Sequence, residues 1–396
     1  VSDYLYIRNM KISNRQAFFL MWLLFVMVQS QQLMAQALSS GQPNTAVKPF
    51  SFPLQLEMRV PFDPTDFPSG SKSYLIYELY LTNFSSSPIN LRRIELMDAG
   101  KENTRPFATF EAAQLQTMLQ PLGGMELGPN EKLTITGGKT VIVFMEVVSD
   151  KKKPFPIKLM HRVITETDSL DGVRISTHNT NLKVLGPPVQ GASWIAADGP
   201  SNDVDNHHRR GVVILDGCSV DSRRYAIDWK KVKDSVSFSG DPRNVNSYFC
   251  YGERVFAVAD GRVIRAKDGL PNNVPGHGKA FHPAVPLTFE TLAGNSITID
   301  LGNGQFAYYM HLQPGSLRVK PGDRVRKGQL LACIGASGDA REPHLHFELT
   351  TSPKLLFGEG IPYLIDRYSL NFQKDDSIGI RIHELPTDKE IVDFGE

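Results

Sequence analysis

The stretch REPHLHFE, residues 341–348, holds His344 and His346 one residue apart. In an extended strand alternate side chains leave the same face, so both imidazoles would point one way while Leu345 and Phe347 enter the core. Two nitrogen donors on one face suit a metal, although the same pattern also occurs in ordinary half-exposed strands. Asp228 ends the alternating run YAID and His311 ends YYMH, each at a strand end from which a side chain could turn into a groove. A carboxylate with imidazoles suits zinc, which takes four ligands and in catalytic sites leaves one position for water. The pKa of that water falls to about 7. A histidine outside the ligand set could then orient the water or stabilise the oxyanion formed on attack. The four residues make a coherent hydrolytic set.

The elements that must position them are strands. From residue 212 onward GVVILD, YAIDW, RVFAVADGRVIRA, NSITIDLG, QFAYYMHL, QLLACIGASG and PHLHFELT follow one another with little sign of helix. The interval 266–292 reads as a long Pro- and Gly-rich loop between two of them, and loops of that length are usually functional or mobile. Its His277 and His282 could face the site or stay solvated. Upstream, from about Pro49 to 186, short apolar or alternating runs are separated by Gly, Pro, Ser and Asp turns, and only FEAAQLQTML (110–119) reads as helix. That pattern predicts an antiparallel β-sandwich of immunoglobulin-like type over 45–186. His161 and His178 are isolated within it and read as structural. Residues 187–204, rich in Pro, Gly and Ala, read as a linker to a second unit at 205–396. The chain is expected to be mainly β.

Lys and Arg number 43 against 42 Asp and Glu in 396 residues, a formal net charge of +1. Neither nucleic acid nor an anionic membrane surface is therefore expected as the main partner. The first forty residues differ in kind: Arg8, Lys11 and Arg15 precede AFFLMWLLFVMV (17–28), and Ala35-Gln36-Ala37 follows. This is the order of a secretory signal peptide over 1–37, with Met10 a candidate true start and the cut after Ala37. The apolar run is short of the roughly 20 residues a membrane helix needs, so no stable insertion is expected after cleavage. An exported protein at the periplasm or cell surface could pair Cys218 with Cys250, or keep three free thiols; Cys333 in LLACIG reads as a small buried hydrophobe.

The blocks YGERVFAVADGRVIRA, AGNSITIDLGNGQFAYYMHLQPGSLRVKPGDRVRKGQLLACIGASG and EPHLHFEL occur in an order that resembles the LytM-type, M23 peptidases, zinc endopeptidases that cut peptide cross-bridges of bacterial cell walls. The resemblance covers about 205–370. It implies an open, mostly antiparallel β-sheet with a groove, Zn2+ held by Asp228 and His346, and His344 with His311 as the catalytic pair. It also places the glycines of VADG, VKPGD and GASG in tight turns. One departure stands out. The family's first ligand is a histidine four residues before the aspartate, where SRRYAIDW has Arg224, and a protonated guanidinium cannot bind zinc.

The nearest replacements are His207 and His208 in DVDNHHRR. Adjacent side chains of an extended segment point apart, so one of the two is expected to bind, and His208 is nearer the strand. The resemblance favours it too: a branch with an immunoglobulin-like N-terminal domain and a QRYAID-like sequence carries a similar HHR just upstream. The other reading leaves both as surface histidines beside Arg209 and Arg210. Arg224 either lies in the groove and binds a substrate carboxylate through its planar fork, or pairs with a structural Asp or Glu. The function implied is an exported zinc endopeptidase acting on peptidoglycan stem peptides. The alternative is a catalytically degenerate LytM-like module that binds cell wall or activates a partner amidase. His311 and His344 have no obvious use in a pure scaffold, which favours the enzyme.

Overall fold

A computed structural model describes residues 21–31, 52–102, 105–122, 133–370 and 379–395. The chain divides into Val1–Pro53 and Leu54–Glu396. In the first unit residues 21–31 are helical, and the basic segment and the cleavage site lie outside the described residues. Among the described residues no helix is long and apolar enough to cross a membrane.

The second unit begins with a sandwich built around strand Lys72–Asn83, KSYLIYELYLTN. Alternate residues Leu75, Tyr77, Leu79 and Leu81 face one way and Ile76, Glu78 and Tyr80 the other, and all of them are buried. Burial on both faces explains why the strand reads as a nearly continuous apolar run. The first face packs with Ile94, Leu96, Val143 and Val163 into one core. That core closes a sheet ordered Leu56–Arg59, Lys72–Asn83, Thr140–Asp150, Leu119–Pro121 against one ordered Ser169–Ser176, Lys158–Thr165, Ile89–Asp98, Ala108–Glu111. The expected helix is Ala112–Met118, with Gln114 Oε1 accepting the Glu111 backbone N–H at 3.0 Å.

His161 belongs to this core. Its Nδ1 lies 2.9 Å from the Val173 carbonyl, which can only accept, so Nδ1 carries the proton and Nε2 accepts the Tyr77 hydroxyl at 2.8 Å. Burial lowers its pKa to about 4, against about 6.5 in an unfolded chain. Between those values the unfolded chain binds the extra proton. Stability is therefore full above pH 6.5 and falls as the pH drops toward 4, by ~3 kcal/mol in total. His161→Gln keeps a donor and an acceptor but cannot titrate. Urea unfolding at several pH values is expected to show a shallower acid decline in the variant, and equal declines would refute the assignment.

Among the described residues the remainder forms two two-stranded sheets and one eleven-stranded sheet. Its centre runs Trp194–Ala197, Ile227–Lys231, Leu345–Thr350, Phe306–Leu312, Asn295–Asp300 and Gly261–Lys267. Trp194–Ala197 comes from the stretch read as a linker and pairs along its length with Ile227–Lys231. Ile227, Trp229, Leu345, Phe347 and Tyr309 turn to a common core, which Phe67 and Ile76 of the sandwich also enter. The opposite face carries Asp228 and His346, and His344 is the residue just before strand Leu345–Thr350. Of the two readings of the cysteines, three free thiols is the one the structure has: Cys218 is exposed and Cys250 is buried with its thiol on the Pro343 carbonyl.

Candidate metal centre

Asp228 and His346 face each other across paired strands, with His346 Nδ1 3.0 Å from Asp228 Oδ1. His344 brings Nε2 to 3.4 Å from Asp228 Oδ2, and His208 brings Nε2 to 3.4 Å from Oδ1. The far nitrogens of these rings are already engaged. His344 Nδ1 lies 2.8 Å from the Glu342 carbonyl and His208 Nδ1 2.9 Å from the Asp198 carbonyl. Both contacts require an N–H on Nδ1. His346 Nε2 lies 3.3 Å from Glu348 Oε2, a carboxylate partner of the kind that orients metal-binding imidazoles.

In neutral rings, then, three nitrogen lone pairs converge on a carboxylate that is also only an acceptor. Such a set is costly to bury unless a cation satisfies it. Among the described residues His208 Nε2 is buried with no hydrogen-bond partner. Burial pushes His208 down to about 4, and burial likewise holds His344 and His311 below the ordinary imidazole value. His346 goes the other way: burial opposes its charge, yet the bonds to Asp228 and Glu348 raise it to about 9. A donor set of imidazole nitrogens and one carboxylate is of the kind that fits zinc.

His207 and His208 reach the site together because they sit in a turn rather than an extended segment. Arg210 N donates to the Asn206 carbonyl and Gly211 N to that of His208, while Asn206 Oδ1 accepts from the backbone N–H of His208 and of Arg209, each at 3.0 Å. Both rings thus fall on one side, their centroids 4.2 Å apart. His207, His208 and Asp228 each offer a ligand atom, all within 4.8 Å of one another. The two histidines differ in restraint. The His208 side chain is 2% exposed, whereas that of His207 is 56% exposed, with Nδ1 3.1 Å from Asp198 Oδ1 and Nε2 3.9 Å from Asp228 Oδ2.

His311 arrives by a different device. Strand Phe306–Leu312 carries a register shift against Asn295–Asp300 between Asn295 and Ile297, and His311 has φ +65°. A bulge re-aims one side chain out of the pleat, and the left-handed backbone costs an L-residue about 1–2 kcal/mol. His311 Nδ1 then donates to the Ser337 carbonyl at 2.8 Å, and its ring lies 4.8 Å from that of His344. Gly294, at φ +64°, lies against Ser337, where a Cβ would fall 2.5 Å from its carbonyl oxygen. The expected turn glycines divide: Gly322 and Gly338 have positive φ, whereas Gly261 and Gly335 are required by close packing against Ile299 and Gln313.

These residues line a groove of about 430 Å³, bordered also by Asp198, Arg223, Lys230, Arg341 and Glu348. His277 of the long loop reaches the groove, and Asn273 ties that loop to the carbonyls of Gly338 and Ala340. Glu348 was legible as the next residue after His344 and His346 on one strand face, and Lys230 as the next after Asp228.

Arg224 does not line the groove. It is buried, with its guanidinium on Glu78 of the sandwich, on Glu359 and on the Gly360 carbonyl. A fork so occupied cannot receive a substrate carboxylate. The structural reading of Arg224 stands, and its neighbour Arg223, like Arg341, borders the groove instead.

Residues 245–356 match the model of peptidase family M23, a span that includes His311, His344 and His346. That segment is an M23 peptidase domain. The M23 match begins after Asp228 and the 207–208 turn, so the candidate ligands lie on both sides of its boundary. The peptidoglycan DD-endopeptidase ShyA of Vibrio cholerae is 40% identical over 129 residues, 32% of this chain and 26% of that protein. The cell division protein DipM of Caulobacter vibrioides is 35% identical over 96 residues, 24% of this chain and 15% of that protein. The glycyl-glycine endopeptidase ALE-1 of Staphylococcus capitis is 31% identical over 114 residues, 28% of this chain and 25% of that protein. The chain thus spans about a quarter or less of these relatives' lengths.

Proposed function

We propose that this protein is an exported zinc endopeptidase that hydrolyses peptide cross-links of bacterial peptidoglycan. The observation that carries the reading is the convergence of His208 Nε2, Asp228 and His346 Nδ1 beside His344 and His311 on one groove. Zinc held by the first three would supply a water acidified to about 7 and a Lewis acid for the scissile carbonyl. His344 and His311 are neutral rings whose Nδ1–H is fixed on a carbonyl, which leaves each Nε2 to take a proton and, once charged, to donate to an oxyanion or return the proton to the leaving amine. The relatives named for endopeptidase activity on peptidoglycan and glycyl-glycine bonds support the substrate class. The intact five-residue constellation weighs against a degenerate cell-wall-binding or amidase-activating module.

The decisive experiment is zinc stoichiometry in the purified protein together with hydrolysis of isolated peptidoglycan. Near-stoichiometric zinc with cross-link cleavage is expected; no zinc and no cleavage would sink the reading. Arg223 extends it to specificity. Its Nε has no hydrogen-bond partner and its Nη2 makes only a 3.5 Å contact with the Gly211 carbonyl, so donors remain for a stem-peptide carboxylate. Arg223→Met is expected to raise KM about 10-fold, equivalent to ~1.4 kcal/mol of binding, with kcat nearly unchanged. An unchanged KM on carboxylate-bearing substrates would remove Arg223 from this role.

A further inference from the structure

The turn that carries His208 is fastened to the sandwich. Arg209, the next residue, is buried, and its guanidinium bonds Glu78 Oε1 and the carbonyls of Tyr77 at 2.8 Å and Met145 at 3.2 Å, while its Nε donates to Asn202 Oδ1. Its guanidinium also lies over the Phe144 ring, 4.7 Å from the centroid. Arg210 adds a bond to the Thr117 carbonyl at 3.0 Å. From the other side Arg224 grips the same carboxylate, with Nη2 2.6 Å from Glu78 Oε2. One buried acid therefore holds two guanidiniums. The first adjoins the loop of the replacement ligand, and the second stands in the sequence position of the ligand that was replaced.

We propose that Glu78 is a positioning residue for the metal centre: by anchoring Arg209 and Arg224 it holds the His207–His208 turn over Asp228, which makes the N-terminal sandwich part of the metal site. The inference rests on the zinc-dependent reading above and adds a role for the sandwich. Two guanidiniums buried side by side repel each other and need a counter-charge in contact. Asp221 is the other carboxylate within reach of Arg209, at 3.9 Å, and neither of its oxygens makes a hydrogen bond. Without the charge of Glu78, Arg209 is driven toward water, and His208 is one peptide unit away. Its Nε2 must leave Asp228 as the turn moves.

The test uses the full chain with Glu78→Gln, Glu78→Asp and Arg209→Lys, and Val163→Ala as a control in the sandwich core, where Val163 is fully buried. Zinc affinity, the visible spectrum of the Co2+ form and amide exchange over residues 199–211 are measured on each. Glu78→Gln is expected to weaken zinc about 10–100-fold, the range for lost outer partners of metal ligands. It should also change the Co2+ bands and strip protection from 199–211. Glu78→Asp keeps the charge and recovers part of each signal. Val163→Ala destabilises the sandwich and leaves metal affinity alone. Wild-type affinity, spectrum and exchange in Glu78→Gln would overturn the proposal, as would a Val163→Ala loss of zinc equal to that of Glu78→Gln. Should Glu78→Gln fail to fold, Arg209→Lys decides, since it retains the ion pair but not the fork, and an unchanged zinc affinity there counts against the proposal. A wild-type protein without zinc would end the metal-dependent reading, while exchange over 199–211 would still show whether Glu78 holds the turn.

Discussion

His208→Ala is expected to lose zinc while His207→Ala keeps it. Both residues approach the same carboxylate, so proximity does not separate them; restraint does. His208 is buried, its Nδ1–H is fixed on the Asp198 carbonyl, and its Nε2, 3.4 Å from Asp228 Oδ1, makes no hydrogen bond among the described residues. Removing it deletes a fixed donor and leaves a buried acceptor set one ligand short. Affinity is expected to fall by at least ~100-fold, the upper range for outer-partner losses, and hydrolysis to background. The His207 side chain is 56% exposed and so less restrained, and its loss is expected to change zinc content little. Metal analysis after dialysis against a weak chelator, with near-UV circular dichroism to confirm folding, distinguishes the two. Zinc retained in His208→Ala but lost in His207→Ala would move the ligand one residue upstream.

Much of this site was legible because strand alternation is a rigid rule. His344 and His346 on one face, Leu345 and Phe347 on the other, and Asp228 opposite His346 all follow from the period of two and a single register. What alternation could not reach were the departures from extended backbone. The 207–210 turn brings two adjacent histidines to one side, against the expectation for a strand. The bulge at His311 was likewise hidden, since its register depends on a partner strand that no local pattern names.

Arg224 shows a second limit. Its residue type marked it as unfit for zinc, but whether its charge was meant for substrate or for a buried acid depended on Glu78, 146 residues away. One signal did exist: Glu78 is the single carboxylate within YLIYELYL (74–81), an apolar run buried on both faces. A buried acid in such a strand needs a cationic partner. The sequence had two arginine pairs to offer, at 209–210 and 223–224, and one member of each is buried against that acid.

The second large effect concerns the two histidines that are not proposed as ligands. His344→Ala and His311→Ala are each expected to retain zinc and to lose about 10²–10⁴-fold in kcat, the usual contribution of a positioned general acid or base. The double variant is expected to lose little more than the worse single one, because residues that serve one proton path act as a unit. Loss of zinc in His344→Ala would instead make it a ligand, as its 3.4 Å approach to Asp228 allows. His311 permits a further separation of chemistry from stability. Alanine and glycine both remove the ring, but only glycine is at ease at φ +65°. His311→Gly is therefore expected to be more stable than His311→Ala by about 1 kcal/mol in urea unfolding, the reverse of the usual order of these residues, while both are equally inactive. Equal stabilities would mean that the bulge relaxes once the ring is gone, and that the imidazole itself, through its bond to Ser337, holds the backbone in the left-handed state.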